Sequence, residues 1–517
     1  MNGNEKLFLG IELGSTRIKA QLTDAEHNVI SSGGYDWENS YEDGYWTYPL
    51  EAAREGLQAC YAGLRKDYES KTGKKLTSVT AMGVSAMMHG YLVFDREMHQ
   101  PTPFRTWRNA RAKEASDTLT ELFGFHVPQR WSAANYFQSM LEKQPHVPGV
   151  AYLTTLSGYI HFLLTGRNEV GLCEASGMFP VSGGEYDPVM ASKFNEAAAK
   201  LGYEQDIVSI LPKIRPAGAK GAYLTAEGAR FLDPTGTLLP GIPVCPPEGD
   251  AGTGMAATAS VRPGTGSVSA GTSVFALLTL QKPLDRVFRE IDSVKTPDGA
   301  DTALIHSCNG CTELDNWVGV FGEFARMLGE DPGKTELYSM LYNNAKNADP
   351  DCGGVTAYNF IAAEPIAGVR AGIPALYRPF DGRLSLANLF RAELCAAVAG
   401  LRIGMKILSD GGVAAPSRLN AHGGLFKIPG VAQQILADAF RVPVTVLSSA
   451  GEGGAWGMSL LAAYMTEGEG QTLADWLDRD VFSRARSSTL YPDPKGAEGF
   501  DSFMKNYENG LRLLRQI

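Results

Sequence analysis

The chain has 517 residues, 44% of them apolar and 20% charged, which suits a soluble globular protein of two or three domains. Its formal net charge of −10, with no basic block to offset it, argues against a nucleic-acid partner or an anionic membrane surface. The densest basic stretch, RTWRNARAK at 105–113, is too short and too mixed to track a phosphate backbone.

From the N-terminus, LFLGIELGSTRIKAQLTD (7–24) reads as strand, tight turn, strand, with Ile11 and Leu13 alternating before the turn and Ile18, Ala20 and Leu22 after it. FLGIELG is short and is broken by Glu12, so neither a signal peptide nor a membrane span is expected there or elsewhere. TSVTAMGVSA (77–86) and HQPTPFRTW (99–107) suggest strands or strand ends. At 246–260, PPEGDAGTGMAATAS surrounds Asp250 with small residues, either as a capped loop or to let a substrate reach the carboxylate. GSVSAGTSVFALLTL (266–280) repeats the β-turn-β plan, and aligning Gly14 with Gly271 sets Ser15 and Thr16 against Thr272 and Ser273. That weak duplication places a domain boundary near 258–262. LANLFRAELCAAVAGLRIGMKIL (386–408) has helical apolar spacing. VAQQILADAF (431–440) predicts another helix with Pro429 in its first turn, then RVPVTVL (441–447) a buried strand. The C-terminal FDSFMKNYENGLRLLRQI predicts a final helix, and the whole reads as α/β. Seven cysteines, an odd number, fit a reducing cytoplasm better than a disulfide framework.

Three motifs fail on their context. GEDPGKT (329–335) has one residue too few between its glycines for a phosphate-binding P-loop and follows a helical pattern, so it reads as a helix-ending turn. Gly252-x-Gly254-x-x-Ala257 follows two prolines and lacks the acid expected about 20 residues on in a dinucleotide site. Cys308-Asn309-Gly310-Cys311 is a lone CxxC, without the second pair that structural zinc needs and without an evident place at the start of a helix for redox work; His306 and Cys352 are the residues that could be recruited. The two hydroxyl turns are better placed. Successive N–H groups in such turns form anion nests, and two of them could hold a triphosphate from both sides. Lys19 would add positive charge, and Glu12 could hold Mg2+ directly or through water.

In this order GIELGSTRIKA (10–20), VSAMMHGYLVFD (84–95), RTWRNARA (105–112), LLTGRNEVGLCEASGMF (163–179), EGDAGTGMAA (248–257), SAGTSVFA (269–276), HGGLFKIPGVAQQILADAF (422–440) and GEGGAWGMSLLAA (451–463) resemble the FGGY carbohydrate kinases. The resemblance spans essentially the whole chain, and Met88-His89-Gly90 is similar to the family's xylulokinase branch. It implies two ribonuclease-H-like lobes of the sugar kinase/actin/heat-shock ATPase superfamily, an N-terminal lobe 1–258 and a nucleotide-binding lobe 259–517, closing over a cleft. It implies ATP and Mg2+, small-molecule partners, a cytoplasmic enzyme, and a homodimer as is common in that branch. The implied reaction is phosphorylation of the terminal primary hydroxyl of a ketopentose, first D-xylulose, otherwise L-ribulose, D-ribulose, glycerol or another polyol; a non-catalytic sugar or nucleotide sensor is the reading from another class. Asp250 would be the base, with Met88, His89, Gly90, Trp107 and Arg108 against the sugar. Gly14, Ser15, Thr16, Lys19, Gly271, Thr272 and Ser273 would face the phosphates, Thr312, Asn316, Gly423 and Gly424 the rest of the nucleotide, and Glu12 with Asp250 the metal. The chain departs from the family pattern at Glu12 and Glu174, each for an Asp, and at Arg108 and Asn109, which replace an Asn-Asp.

Overall fold

The computed structural model describes residues 6–447 and 453–516. Two seven-stranded sheets carry the molecule. The first grows from a hairpin, Phe8–Leu13 antiparallel to Arg17–Thr23, in which Glu12 faces Lys19 across the ladder. Val29–Asp36 extends it antiparallel on one side, and Ala81–Ala86 runs parallel to Phe8–Leu13 on the other. Pro243–Val244 and Glu248–Gly249 then pair parallel with Ala81–Ala86. The second sheet repeats this plan from the hairpin Thr265–Ala270 and Val274–Thr279, with Asp301–Ser307 antiparallel on one side, and Arg418–Gly423 then Val444–Leu447 parallel on the other. The repeat glimpsed at Gly14 and Gly271 is thus a repeat of topology, and the α/β two-lobed architecture expected from the sequence is the one found.

The central strands are buried on both faces, as parallel neighbours require. Ile11, Leu13, Ile18, Ala20 and Leu22 are fully buried, beneath the helix Leu50–Thr72 on one face, which turns Leu57, Cys60 and Leu64 inward. The helix Gly454–Glu467, from the other end of the chain, packs on Phe8–Leu13 and Ala81–Ala86. It lies so close that a Cβ on Gly10 would strike the Ala455 carbonyl. One core cluster accordingly joins Phe8, Ala81 and Met255 to Trp456, Met458 and Leu461. We propose a division into lobes at 258/259, which this crossing helix bridges, since it belongs by sequence to the second lobe and packs on the sheet of the first.

The long helix Leu386–Asp410 forms as its spacing predicts, and the C-terminal helix spans Pro494–Leu514. Gly329, at φ +85°, follows the helix Thr312–Met327, so GEDPGKT is a helix-ending turn. Three expectations need correction. Residues 99–107 form no strand beyond a single bridge of Arg105 to Tyr91, because Pro101 and Pro103 remove ladder donors. Pro429 lies outside the helix Ala432–Phe440, separated from it by Gly430 at φ +78°. The following strand starts only at Val444, since Arg441 caps the helix in the left-handed region. All seven cysteines are free, and among the described residues no helix is long and apolar enough to cross a membrane.

Candidate active site

A cleft of about 840 Å³ opens between the sheets. Its walls bring together Ser15, Met88, His89, Trp107, Arg108 and Asp250 from the first half with Ser273, Phe275, His306 and Cys308 from the second. Asp250 is the first residue of the helix Asp250–Ala257, straight after the short strand Glu248–Gly249. Its carboxylate reaches solvent at the cleft floor, yet protein crowds it closely enough to raise its pKa by desolvation. Oδ1 accepts the Met88 amide N–H at 3.1 Å, which fixes it against the segment carrying His89.

His89 is buried, with Nδ1 3.1 Å from the Gly177 carbonyl. Burial, helped by the Arg130 charge, pushes the imidazole down to about 3, so it is neutral, donates from Nδ1 and keeps Nε2 as an acceptor. Gly90 stands behind it: its N–H donates to the Arg130 carbonyl, its carbonyl accepts from Ser132, and a side chain there would meet Phe104. Trp107 donates its indole N–H to the Ser15 hydroxyl at 3.1 Å, tying the Trp107–Arg108 wall of the cleft to the first hydroxyl turn. Arg108 lies over the Trp46 ring at 4.1 Å, while Asn109 is buried and spends its amide on the Trp46 backbone.

The two turns hold their shape by backbone bonds, Gly14 N–H to Arg17 carbonyl and Gly271 N–H to Ser273 carbonyl. Beneath the first, Glu12 is pushed up to about 7 by burial and by the Asp250 charge, opposed by Lys19 and by amide N–H groups of Ala455 and Gly454. Glu12 thus sits at the N-terminus of the crossing helix, where a side chain on Gly454 would displace it. Two carboxylates close enough to repel, Glu12 half-buried and Asp250 open to the cleft, with one lysine nearby, form an oxygen donor set suited to a hard divalent cation. Glu12 and Asp250 are the residues that could hold it.

Thr312 opens the helix Thr312–Met327, and Asn316 on that helix donates to Glu313. Gly423 ends the strand Arg418–Gly423 at φ +105°, and a Cβ on it would run into the Ala270 carbonyl of the second hairpin; Gly424 faces open space. None of these four lines the cleft. The GEGGAWGMSLLAA segment begins at residues 451–452, outside the described residues, and continues as the crossing helix. The fingerprint glycines Gly252 and Gly254 lie inside the helix Asp250–Ala257. Glu174 is fully buried against Gly249, its carboxyl raised well above the usual range by desolvation.

Sequence reasoning missed Arg130, His126, Asp292 and Phe275. Strand alternation could have found Phe275, which projects opposite to Val274 and Ala276. Nothing local marks the others. Arg130 from the first half pairs with Asp292 from the second, and His126 Nε2 lies 3.4 Å from the same carboxylate. The CxxC does open a helix after a strand, contrary to expectation, yet burial pushes Cys308 up to about 11 and Cys311 up to about 12, the reverse of a redox thiol.

Two family models match the chain. The N-terminal domain of the FGGY family of carbohydrate kinases matches residues 7–255, and the C-terminal domain of that family matches 266–466. A xylulose kinase from Haemophilus influenzae is 21% identical over 97% of both chains. Among solved structures, a xylulose kinase from Rhodospirillum rubrum has a TM-score of 0.78 at 18% identity, covering 99% of each chain. A gluconate kinase from Lactobacillus acidophilus has a TM-score of 0.79 at 16% identity with the same coverage.

Proposed function

The chain belongs to the FGGY family of carbohydrate kinases and is a sugar kinase, and from that premise we propose that it transfers the γ-phosphoryl group of ATP to the terminal primary hydroxyl of a ketopentose, D-xylulose first. The observation that carries this reading is the bond from the Met88 amide to Asp250 Oδ1, which joins the segment resembling the xylulokinase sugar contact to the base in one wall of the cleft.

Asp250 accepts the hydroxyl proton as the sugar oxygen attacks the γ-phosphorus, and the bond from that phosphorus to the bridging oxygen of ADP breaks. Its raised pKa makes it the more capable base. His89 offers Nε2 to a sugar hydroxyl, and Trp107 packs on the sugar while holding Ser15. Ser15, Thr16 and Lys19 on one side and Thr272 and Ser273 on the other would cradle the phosphates. A magnesium ion held by Glu12 and Asp250 would neutralise charge on the transferring group.

Arg108 supports a second acceptor on the same chemistry. It has no carboxylate partner among the described residues and stands where the resembling pattern has a neutral Asn, with a further Asn in place of the acid. The change keeps L-ribulose, D-ribulose or a polyol open as acceptors, and a cation there, with the gluconate kinase neighbour, adds a sugar acid to the comparison. ADP release from Mg2+-ATP, measured against D-xylulose, L-xylulose, both ribuloses, glycerol and D-gluconate, with Asp250→Ala beside each, tests the proposal. Turnover is expected with D-xylulose and at least a thousandfold loss in the variant. Preference for another acceptor would move the substrate and keep the mechanism; an active Asp250→Ala would remove Asp250 as base.

A further inference from the structure

Glu364 is fully buried and belongs to no part of the chemistry above. Among the described residues it pairs with no lysine or arginine. Its carboxylate is instead committed to one loop. Oε2 accepts the Ser307 hydroxyl at 2.9 Å, the Asn309 amide N–H at 3.1 Å and the Asn309 side-chain amide at 3.0 Å, and Oε1 accepts the Cys308 N–H at 3.2 Å. Asn309 Oδ1 accepts in turn from the Ala362 N–H at 2.8 Å. Asn359 donates to the carbonyls of Asn309 and Gly310 at 3.0 and 2.9 Å. A buried carboxylate without a counter-ion is costly unless donors surround it, and every donor here comes from residues 307–309.

That loop is the CNGC segment, and its far end grips the second hydroxyl turn. Gly310 N–H donates to the Thr272 carbonyl at 2.8 Å and Cys311 N–H to the Gly271 carbonyl at 2.9 Å. Gly310 has room only as glycine, since a Cβ would strike the carbonyls of Gly271 and Thr272. With both carbonyls drawn to the rear, the N–H groups and hydroxyls of Thr272 and Ser273 have no partner among the described residues and are left for a ligand.

We propose that Glu364 is a positioning residue for phosphoryl transfer: through Asn309 and Gly310 it holds Gly271–Ser273 in the conformation that receives the nucleotide phosphates. It gives the CxxC segment a role that needs neither metal nor disulfide. The inference rests on reading Gly271–Ser273 as a phosphate turn, whichever sugar is the acceptor.

The test is ADP affinity by titration calorimetry, together with KM for ATP, KM for the sugar and kcat, on the full chain. Glu364→Gln, of equal size, turns an amide NH2 toward donors; it is expected to weaken ADP and raise KM for ATP at least tenfold, with the sugar KM within twofold. Glu364→Asp should recover part of the loss, and Asn309→Ala should reproduce it. The double variant should be no worse than the worse single one. Should Glu364→Gln not fold, Asn309→Ala decides alone. Folded variants with unchanged ADP affinity, or a parallel change in both KM values, would overturn the proposal. Thr272→Ala separates the two readings. If it weakens ADP while Glu364→Gln does not, Glu364 loses its role and the turn keeps its own. If it leaves ADP binding intact, the phosphate turn itself falls, and the proposal with it.

Discussion

His89 sits at φ +72°, a conformation few side chains accept, followed by Gly90 at φ +110°. That kink aims the imidazole at the Gly177 carbonyl and leaves Nε2 toward the cleft. The unfolded chain takes up a proton here near 6.5, whereas the folded chain refuses one until about 3. Unfolding therefore absorbs a proton between those values: the stability this site contributes is complete above pH 6.5 and drains away as pH falls toward 3. Activity should not follow an imidazole. His89→Asn, which tolerates positive φ, is expected to raise the sugar KM at least tenfold while the pH–rate profile between 6 and 9 keeps its shape. A lost limb in that profile would make His89 an acid or base. The Met-His pair was legible in the sequence through its resemblance, but its tautomer was not, because the partner, Gly177, lies 88 residues away. Asn109 shows the same limit: visible in the sequence only as a departure from the family's Asn-Asp, it locks the Trp46 backbone.

At the scale of elements, both hairpins could be read from alternation, since each strand is long and its turn rich in glycine and hydroxyls. The two-residue strands Pro243–Val244 and Glu248–Gly249 could not, because only pairing with Ala81–Ala86 defines them. Gly423 and Gly424 illustrate how neighbours in sequence part company. Both were expected to clear space for adenosine, but Gly423 clears it for Ala270, and Gly424 alone faces open space. Gly423→Ala combines positive φ with a backbone collision and should destabilise the second sheet by more than about 1 kcal/mol. Gly424→Ala should leave stability unchanged and weaken ATP binding. Thermal unfolding beside ADP titration of the two variants checks both; equal effects would mean that the pair acts as one structural turn.

Across the whole molecule, the sequence could announce two lobes but not what ties them together. The helix Gly454–Glu467, from the second half of the chain, joins them by packing on the first sheet, and Arg130 with Asp292 joins them across the cleft, supported by Arg289 to Asp117 at 2.9 Å. Such pairs bring together residues more than a hundred positions apart, and no periodicity or local motif foretells them. The Arg130–Asp292 pair is mostly buried: 25% and 11% of the two side chains stay exposed, and burial lowers the guanidinium to about 10. Removing one partner leaves the other charge stranded, at the lower end of the about 3–5 kcal/mol typical of buried pairs, because water still reaches the arginine. Replacing both with apolar residues restores packing and strands neither charge, leaving only the neutral His126 imidazole without its partner. Asp292→Leu should therefore destabilise strongly in urea unfolding, and Arg130→Met with Asp292→Leu should recover most of the loss. The double variant also tests the tether, because a kinase must part its lobes to release product and join them to exclude water. Without the pair the resting cleft should stand wider in solution scattering, and sugar-independent ATP hydrolysis should rise as water gains entry. Full recovery of stability with an unchanged resting shape would place the tether in the crossing helix alone.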